Sequence, residues 1–319
     1  MTTTFTNPVY RHNFPDPGLI ERDGVWYAYG TNNATMNVPT LTSSDLVHWT
    51  ERGDALPRVG RWAVPGRTWA PEVMRARSGR YVLYYTARCA NVDRQAIGAA
   101  VADRPEGPFV DASNAPLICQ DEQGGSIDAS PYLHSDGASY LHWKNDGNHV
   151  GRPTHLYGQR LSADGMALSG PRIRLLSNNK PWHADVIEAP QMVSRNGALY
   201  LFYSGNAYDT DAYAVGYATC DTPLGPCHDA DENPILQSSA SAAGPGHSYL
   251  VTHPDGTTWM LYHAWPWSAI GAAEPGRQLW LDRVEWINGR PTIHRPTARP
   301  QPAPTSTSGS PARKPLPRR

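Results

Sequence analysis

Short runs of apolar and aromatic residues, each broken by a polar turn containing glycine, follow one another along almost the whole chain. No stretch carries the 3.6-residue apolar spacing of an amphipathic helix. One unit recurs five times. Its inner strand and turn read DPGLIERDGVWYAYG from Asp16, PEVMRARSGRYVLYYT from Pro71, ASPYLHSDGASYLHWK from Ala129, APQMVSRNGALYLFYS from Ala189 and HSYLVTHPDGTTWMLYH from His247. The turn glycines Gly24, Gly79, Gly137, Gly197 and Gly256 are spaced by 55, 58, 60 and 59 residues. Each run has the form of a hairpin, with β-formers on both sides of an Asp-Gly, Ser-Gly or Asn-Gly turn. Further strands follow as TLTSSDLVHW, IGAAVADRPEGPF, HLYGQRLSADG, AVGYATCDTPLGPC and RQLWLDRVEW. Five units of four strands predict an all-β fold, a five-bladed β-propeller over residues 1–293. From residue 294 the pattern stops. Residues 294–319 hold seven prolines with Ser, Thr and Arg, which predicts a disordered, basic, Pro-rich tail.

Composition agrees with many short strands and tight turns: the 319 residues include 28 Gly, 30 Pro, 11 Trp and 16 Tyr. The formal net charge is −1, but six basic residues and no acid fall between His294 and Arg319, so the remainder stands at −7. A mildly acidic body offers phosphates little, which argues against a nucleic-acid partner. Met1 to Asn13 lacks the apolar segment of a signal peptide, and no run approaches the roughly 18 apolar residues of a membrane helix. The expectation is no membrane partner, with a cytoplasmic location if the chain is complete and secretion if a leader has been removed. The four cysteines, Cys89, Cys119, Cys220 and Cys227, form no C-x-x-C pair that would suggest structural zinc. Cys220 and Cys227 flank a Pro-Leu-Gly-Pro turn, and the sequence leaves a disulfide and two thiols equally open.

In a propeller the first strand of each blade lines the central channel, so residues at equivalent positions converge on the axis. Asp16 in FPDP, Glu72 in WAPE, Asp128 in SIDAS, Glu188 in VIEAP and His247 in GPGH recur at spacings of 56, 56, 60 and 59. Crowded carboxylates repel and raise one another's pKa, which a merely structural protein has little reason to tolerate. Hydrolysis of a glycosidic bond does need such a group: one carboxyl kept protonated for the leaving oxygen and another ionised as base or nucleophile. A lone inner-strand Asp is commonly a turn or cap residue. Asp16, Asp128 and Glu188 together at blade period are not explained that way.

These motifs resemble glycoside hydrolase family 43, the arabinanase, α-L-arabinofuranosidase and β-xylosidase group, from about Asn7 to Ile293. The resemblance rests on FPDP at 14–17, SSDLVHW at 43–49, WAPEV at 69–73, SIDASPY at 126–132, VIEAPQM at 186–192, GPGHSYL at 244–250 and RQLWLDRVEW. It implies that Asp16 is the general base, Asp128 the pKa modulator and Glu188 the general acid of an inverting hydrolase that needs no cofactor for its chemistry. It also implies that Glu72 is structural, that Arg277 contacts substrate, and that His247 faces a central cation or water cluster. That last feature leaves room for a structural calcium held through waters. Ala129 and Ala189 depart from the Pro and Gly common in the family. Fructan hydrolases, a related five-bladed group, have signatures that are missing here.

Trp69 offers a flat face for a sugar ring, or else packs between blades. Lys144, Asn145 and Asp146 in HWKNDGN either approach the pocket or form a plain turn. The expected activity is release of a pentose, L-arabinose first, from arabinan- or arabinoxylan-derived oligosaccharides. The alternatives within the same chemistry are β-xylosidase and endo-1,5-α-L-arabinanase; in a different class stands a non-catalytic carbohydrate-binding propeller, which would have lost at least one of the three acids.

Overall fold

The computed structural model describes residues 3–305 and arranges nineteen strands as five consecutive antiparallel sheets around an axis. Blade one is Gly18–Arg22, Val25–Tyr29, Pro39–Ser43 and Thr50–Asp54; blade three is Ser126–Leu133, Ser139–Asn145, His155–Leu161 and Leu168–Ser177. Blade four is Ile187–Arg195, Ala198–Gly205, Ala214–Cys220 and Cys227–Asp229, and blade five is Ala243–Thr252, Thr258–Trp265, Gln278–Ile287 and Arg290–Ile293. Blade two departs from the expected four strands. It has three, Ala63–Arg75, Tyr81–Cys89 and Gln95–Ala102, and its outer edge is reduced to bridges from Val101 to Val110 and from Ile97 to Ile118. The segment after Ala102 runs through Pro105, Pro108 and Pro116, which cannot donate to a ladder. The five turn glycines all have φ between 81° and 87°, as their hairpins require.

Apolar side chains meet in five clusters, one at each blade junction. Tyr29, Leu83 and Tyr85 join blades one and two. Tyr84, Leu141 and Trp143 join blades two and three. Leu156, Leu201 and Tyr203 join three and four, and Phe202, Tyr262 and Trp280 join four and five. Leu19, Trp26, Leu261 and Leu279 close the ring between five and one. Burial of each such side chain contributes about 1.5–3 kcal/mol, so the ring holds only if every junction is filled.

Both termini seal that last junction. The backbone of Val9 and Tyr10 pairs with Leu279, and the Asn7 amide spans Leu281, donating to its carbonyl at 2.9 Å and accepting from its N–H at 2.9 Å. The N-terminal segment thus extends the outer edge of blade five above Arg290–Ile293. Residues 295–305 are ordered, contrary to the expectation for the tail. Gln301–Pro302 pairs with Thr4–Phe5, Ala303 packs on the closing cluster, and Thr305 hydrogen-bonds to Asp255. Backbone pairing with the N-terminal strand supplies the order that the composition of this segment does not. The remainder of the tail, 306–319, lies outside the described residues. Cys220 and Cys227 form a disulfide, while Cys89 and Cys119 are free. No helix among the described residues is long and apolar enough to cross a membrane.

Asp282 is buried under this seal. Tyr262 Oη and Asn7 Nδ2 donate to its Oδ2 at 2.5 and 3.3 Å, whereas Oδ1 has no hydrogen-bond partner among the described residues. Burial pushes its carboxyl up to about 7. The folded protein therefore keeps this proton up to about pH 7, whereas an unfolded Asp releases it near about pH 4. Stability is lost as pH rises through that window. Asp282→Asn removes the penalty, so its advantage in thermal midpoint over the wild type is expected to be small at pH 4 and several degrees at pH 8. An advantage that does not change with pH would show that Asp282 holds no extra proton.

Candidate active site

One non-glycine residue in or just before every inner strand lies in the left-handed region: Asp16 (φ 57°), two residues ahead of Gly18–Arg22, and Ala70 (45°), Asp128 (58°), Ala189 (53°) and His247 (47°) within theirs. L-residues pay roughly 1–2 kcal/mol there, and Asp and His tolerate it better than most. The preceding blade holds each kink by capturing its N–H. Asp16 donates to His263 Nδ1 (3.3 Å), Ala70 to Thr31 Oγ1 (3.0 Å), Asp128 to Thr86 Oγ1 (3.1 Å) and His247 to Ser204 Oγ (2.8 Å). Blade three has Lys144 at the corresponding place, which cannot accept, and there Asp128 Oδ2 takes the Ala189 N–H at 3.0 Å.

These kinks correct the alignment of the acids. Glu188 stands one residue before its kink, the position of Trp69 in blade two and Ile127 in blade three. Glu72 stands two residues after its kink, one level further along the channel. Ser130 Oγ donates to Glu72 Oε2 at 2.9 Å, burial raises its carboxyl well above the ordinary range, and a Cβ on Gly18 would lie 2.8 Å from its Cγ. Glu72 is thus kept out of the pocket, as its structural assignment implies.

At the kinked end of the channel lies a cavity of roughly 300 Å³, lined by Asp16, Trp69, Gln95, Ile127, Asp128, Lys144, Asp146, Asn148, Glu188, Tyr208, His247 and Arg277. Blades one, three and five thus contribute their kink residues; blades two and four have Ala at the kink and present Trp69 and Glu188 instead. Asp16 is clamped from several sides. Arg277 Nη1 donates to its Oδ1 at 2.7 Å, Thr31 Oγ1 donates to its Oδ2 at 2.5 Å, and the imidazoles of His247 and His263 come within 3.4 and 3.2 Å of Oδ1. Burial would raise its pKa, but Arg277 and the two histidines outweigh burial and hold the carboxyl well below the usual range.

Glu188 and Asp128 divide differently from expectation. Lys144 Nζ donates to Glu188 Oε2 at 3.0 Å and Tyr213 Oη to Oε1 at 2.8 Å. Burial opposes ionisation, yet Lys144 and Tyr213 prevail, and Glu188 is lowered. Asp128 is pushed up to about 6, by burial first and then by the neighbouring Glu188 carboxylate. Asp128 therefore holds a proton more tightly than Glu188, whereas the sequence suggested that a third carboxylate would raise Glu188 itself. Tyr213 reaches Glu188 only because Gly246 leaves space: a Cβ there would lie 1.9 Å from the Tyr213 ring.

Of the other expected residues, Trp69, Lys144 and Arg277 line the cavity and Asn145 does not. The Asn145 amide is fully used by backbone, donating to the Gln123 and Pro153 carbonyls and accepting from the His155 N–H. Lys144, completely buried, serves the carboxylate cluster. Arg277 faces Asp16 directly. His247, expected to face a cation through waters, turns Nδ1 toward Asp16, and among the described residues no three His, Cys, Asp or Glu side chains are grouped to hold a metal ion. Thr31, Tyr213 and His263 were not singled out from the sequence. Their signal is faint: each repeats the kink-facing register of a second strand or sits in a loop with no motif.

Ala189 carries the kink without the local hydrogen bonding that helps Asp. Ala189→Gly relieves the left-handed cost of roughly 1–2 kcal/mol and adds unfolded-state entropy worth about 0.4–1 kcal/mol. The expected net is a stabilisation of between about 0 and 1.6 kcal/mol in denaturant unfolding; a clear loss would show that Ala189 is unstrained.

The family model described as glycosyl hydrolases family 43 matches residues 5–291. The chain is 27% identical over 274 residues to the β-D-galactofuranosidase of Aspergillus niger, covering 81% of this chain and 75% of that protein. It is 26% identical over 309 residues to a probable arabinan endo-1,5-α-L-arabinosidase C of Aspergillus flavus, covering 87% and 90%. The solved structure of a thermostable family-43 glycoside hydrolase superposes with a TM-score of 0.85 at 28% identity, over 95% of this chain and 100% of that one. With three acids from three blades around one cavity and a family match over nearly its whole length, the chain belongs to glycoside hydrolase family 43, a family of inverting enzymes that need no cofactor for catalysis.

Proposed function

We propose that this hydrolase removes an L-arabinofuranosyl or closely related furanosyl residue from an oligosaccharide, with Asp16 as base, Glu188 as acid and Asp128 as the group that holds and orients the proton. The observation that carries the reading is the opposite treatment of the carboxyls around one cavity. Asp16 is surrounded by cationic and hydroxyl donors that keep it ionised, while burial and the neighbouring Glu188 push Asp128 up to about 6. In the reaction, a water held by Asp16 attacks the anomeric carbon and gives its proton to that carboxylate. The glycosidic bond breaks on the opposite face as Glu188 protonates the leaving oxygen, and the sugar leaves with inverted configuration. Substrate must draw the proton from Asp128 toward Glu188 before the bond breaks.

The substrate class rests on the walls. Trp69, Ile127 and Tyr208 offer faces to a ring, and Gln95, Asp146, Asn148 and Arg277 offer polar groups to hydroxyls, in a cavity at the small end of ligand pockets. Two of the relatives are named for furanoside hydrolysis, of galactofuranose and of arabinan. β-D-Galactofuranose and α-L-arabinofuranose present the same ring hydroxyls, which favours a furanosyl residue over xylose.

The reading is tested with para-nitrophenyl α-L-arabinofuranoside, β-D-galactofuranoside and β-D-xyloside, alongside linear arabinan. Wild type should cleave a furanoside fastest, and Asp16→Ala none of them. Attack on arabinan alone would move the reading to endo action; substantial turnover by Asp16→Ala would remove it as base. Glu188→Ala should lose most on natural oligosaccharides, whose leaving groups need protonation, and least on the nitrophenyl glycosides; equal losses on both would remove it as acid.

The pH profile gives a second check. The free enzyme should lose kcat/KM as pH rises through about 6, where the Asp128 and Glu188 pair gives up its proton. Lys144 lowers Glu188, so Lys144→Met should move that limb to higher pH. A limb that stays in place in the variant would separate Lys144 from the acid.

A further inference from the structure

Arg277 is held in an unusual way for a residue that clamps a carboxylate. Among the described residues its guanidinium makes one hydrogen bond, from Nη1 to Asp16 Oδ1, with no second polar partner to fix the plane of the group. A guanidinium has five N–H donors, so a single bond leaves it free to rotate about its stem. What fixes the plane is aromatic. Arg277 Cζ lies 4.7 Å from the centroid of the Tyr208 ring and 5.9 Å from that of Trp265. The side chain is thereby only 12% exposed, while Tyr208, which covers it, is 47% exposed and lines the cavity.

The loop that carries Tyr208 is itself anchored. Trp265, buried in the second strand of blade five, donates from Nε1 to the Tyr208 carbonyl at 2.8 Å. The backbone of Arg277 is fixed from the other side, its N–H donating to Asn13 Oδ1 at 2.9 Å and its carbonyl accepting from the Phe14 N–H at 2.9 Å. The backbone of Arg277, just before the third strand of blade five, is thus tied to the segment leading into Asp16, and its head is covered from the adjacent blade.

We propose that Tyr208 is a positioning residue of the hydrolytic reaction, which acts by holding the Arg277 guanidinium flat and dry against Asp16. A cation over an aromatic face is attracted to the ring, more strongly as water is excluded. Without the ring, water enters beside the guanidinium, its bond to Asp16 weakens, and the base loses both its orientation and part of the charge that keeps it ionised. The inference rests on Asp16 being the base.

The test is a double-mutant cycle on kcat/KM with a nitrophenyl furanoside, using Tyr208→Ala, Arg277→Ala, the double variant, Tyr208→Phe and Asp16→Ala, each checked for an unchanged thermal midpoint. Tyr208→Ala should lower kcat/KM roughly tenfold, mainly in kcat, and move the acid limb of the profile to higher pH, because Arg277 lowers Asp16. Tyr208→Phe, which keeps the ring, should recover most of that loss. The double variant should be no slower than Arg277→Ala alone. Losses that multiply in the double variant, or that fall wholly in KM, would overturn the proposal and make Tyr208 a sugar contact. A Phe variant as poor as the Ala variant would overturn it by assigning the effect to the hydroxyl. Activity retained by Asp16→Ala would instead remove the base assignment on which it stands.

Discussion

The left-handed kink in each inner strand is the constraint on which this site depends. A regular strand sends successive side chains to opposite faces, so an acid and its neighbour could not both address the same end of the channel. The kink breaks that alternation at one residue per blade. It lets Asp16, Asp128 and His247 enter from the kink itself and Trp69 and Glu188 from the residue before it. The strain of five left-handed residues persists because each freed N–H is captured by a side chain of the preceding blade. The site is therefore a property of blade junctions rather than of single blades, and the same junctions are those filled by the five apolar clusters.

Charge balance decides what the converging groups can do. Three buried carboxylates on one cavity would repel strongly if left alone. Arg277 offsets Asp16, Lys144 offsets Glu188, and the excess is taken up as a proton on Asp128. Inverting hydrolysis needs one ionised and one protonated carboxyl; here burial and Glu188 push Asp128 up to about 6, while Lys144 and Tyr213 lower Glu188, the proposed acid. Arg277 and Lys144 come from blades five and three, so Asp16 and Glu188 are each balanced by a cation from the preceding blade.

Ring closure follows from the same economy of edges. Each blade is continuous in sequence, so no strand is borrowed to lock the last blade to the first. The N-terminal segment supplies the missing outer pairing on blade five, and residues 301–302 lie on that segment in turn. Asn13 and Phe14 continue from this seal into Asp16 and bond to the backbone of Arg277, which ties closure of the ring to the geometry of Asp16.

The repeat, the turns and the three acids were legible in the sequence because they depend on local rules: a period near 58 residues, glycines required by hairpin turns, and carboxyls recurring with the strands. Tertiary structure decided the rest. Which residue of each inner strand kinks depends on an acceptor from another blade, so Glu72 and Asp16 looked equivalent along the chain and lie at different depths. Asn145 and Lys144 are adjacent, yet only the fold sends one amide to backbone and the other side chain to Glu188. The pairing of residues 301–302 was set by a partner distant in sequence, as was the rise of the Asp128 pKa beside Glu188. Local pattern fixes which residues can form the elements; burial and charge, which act between elements, fix what those residues then do.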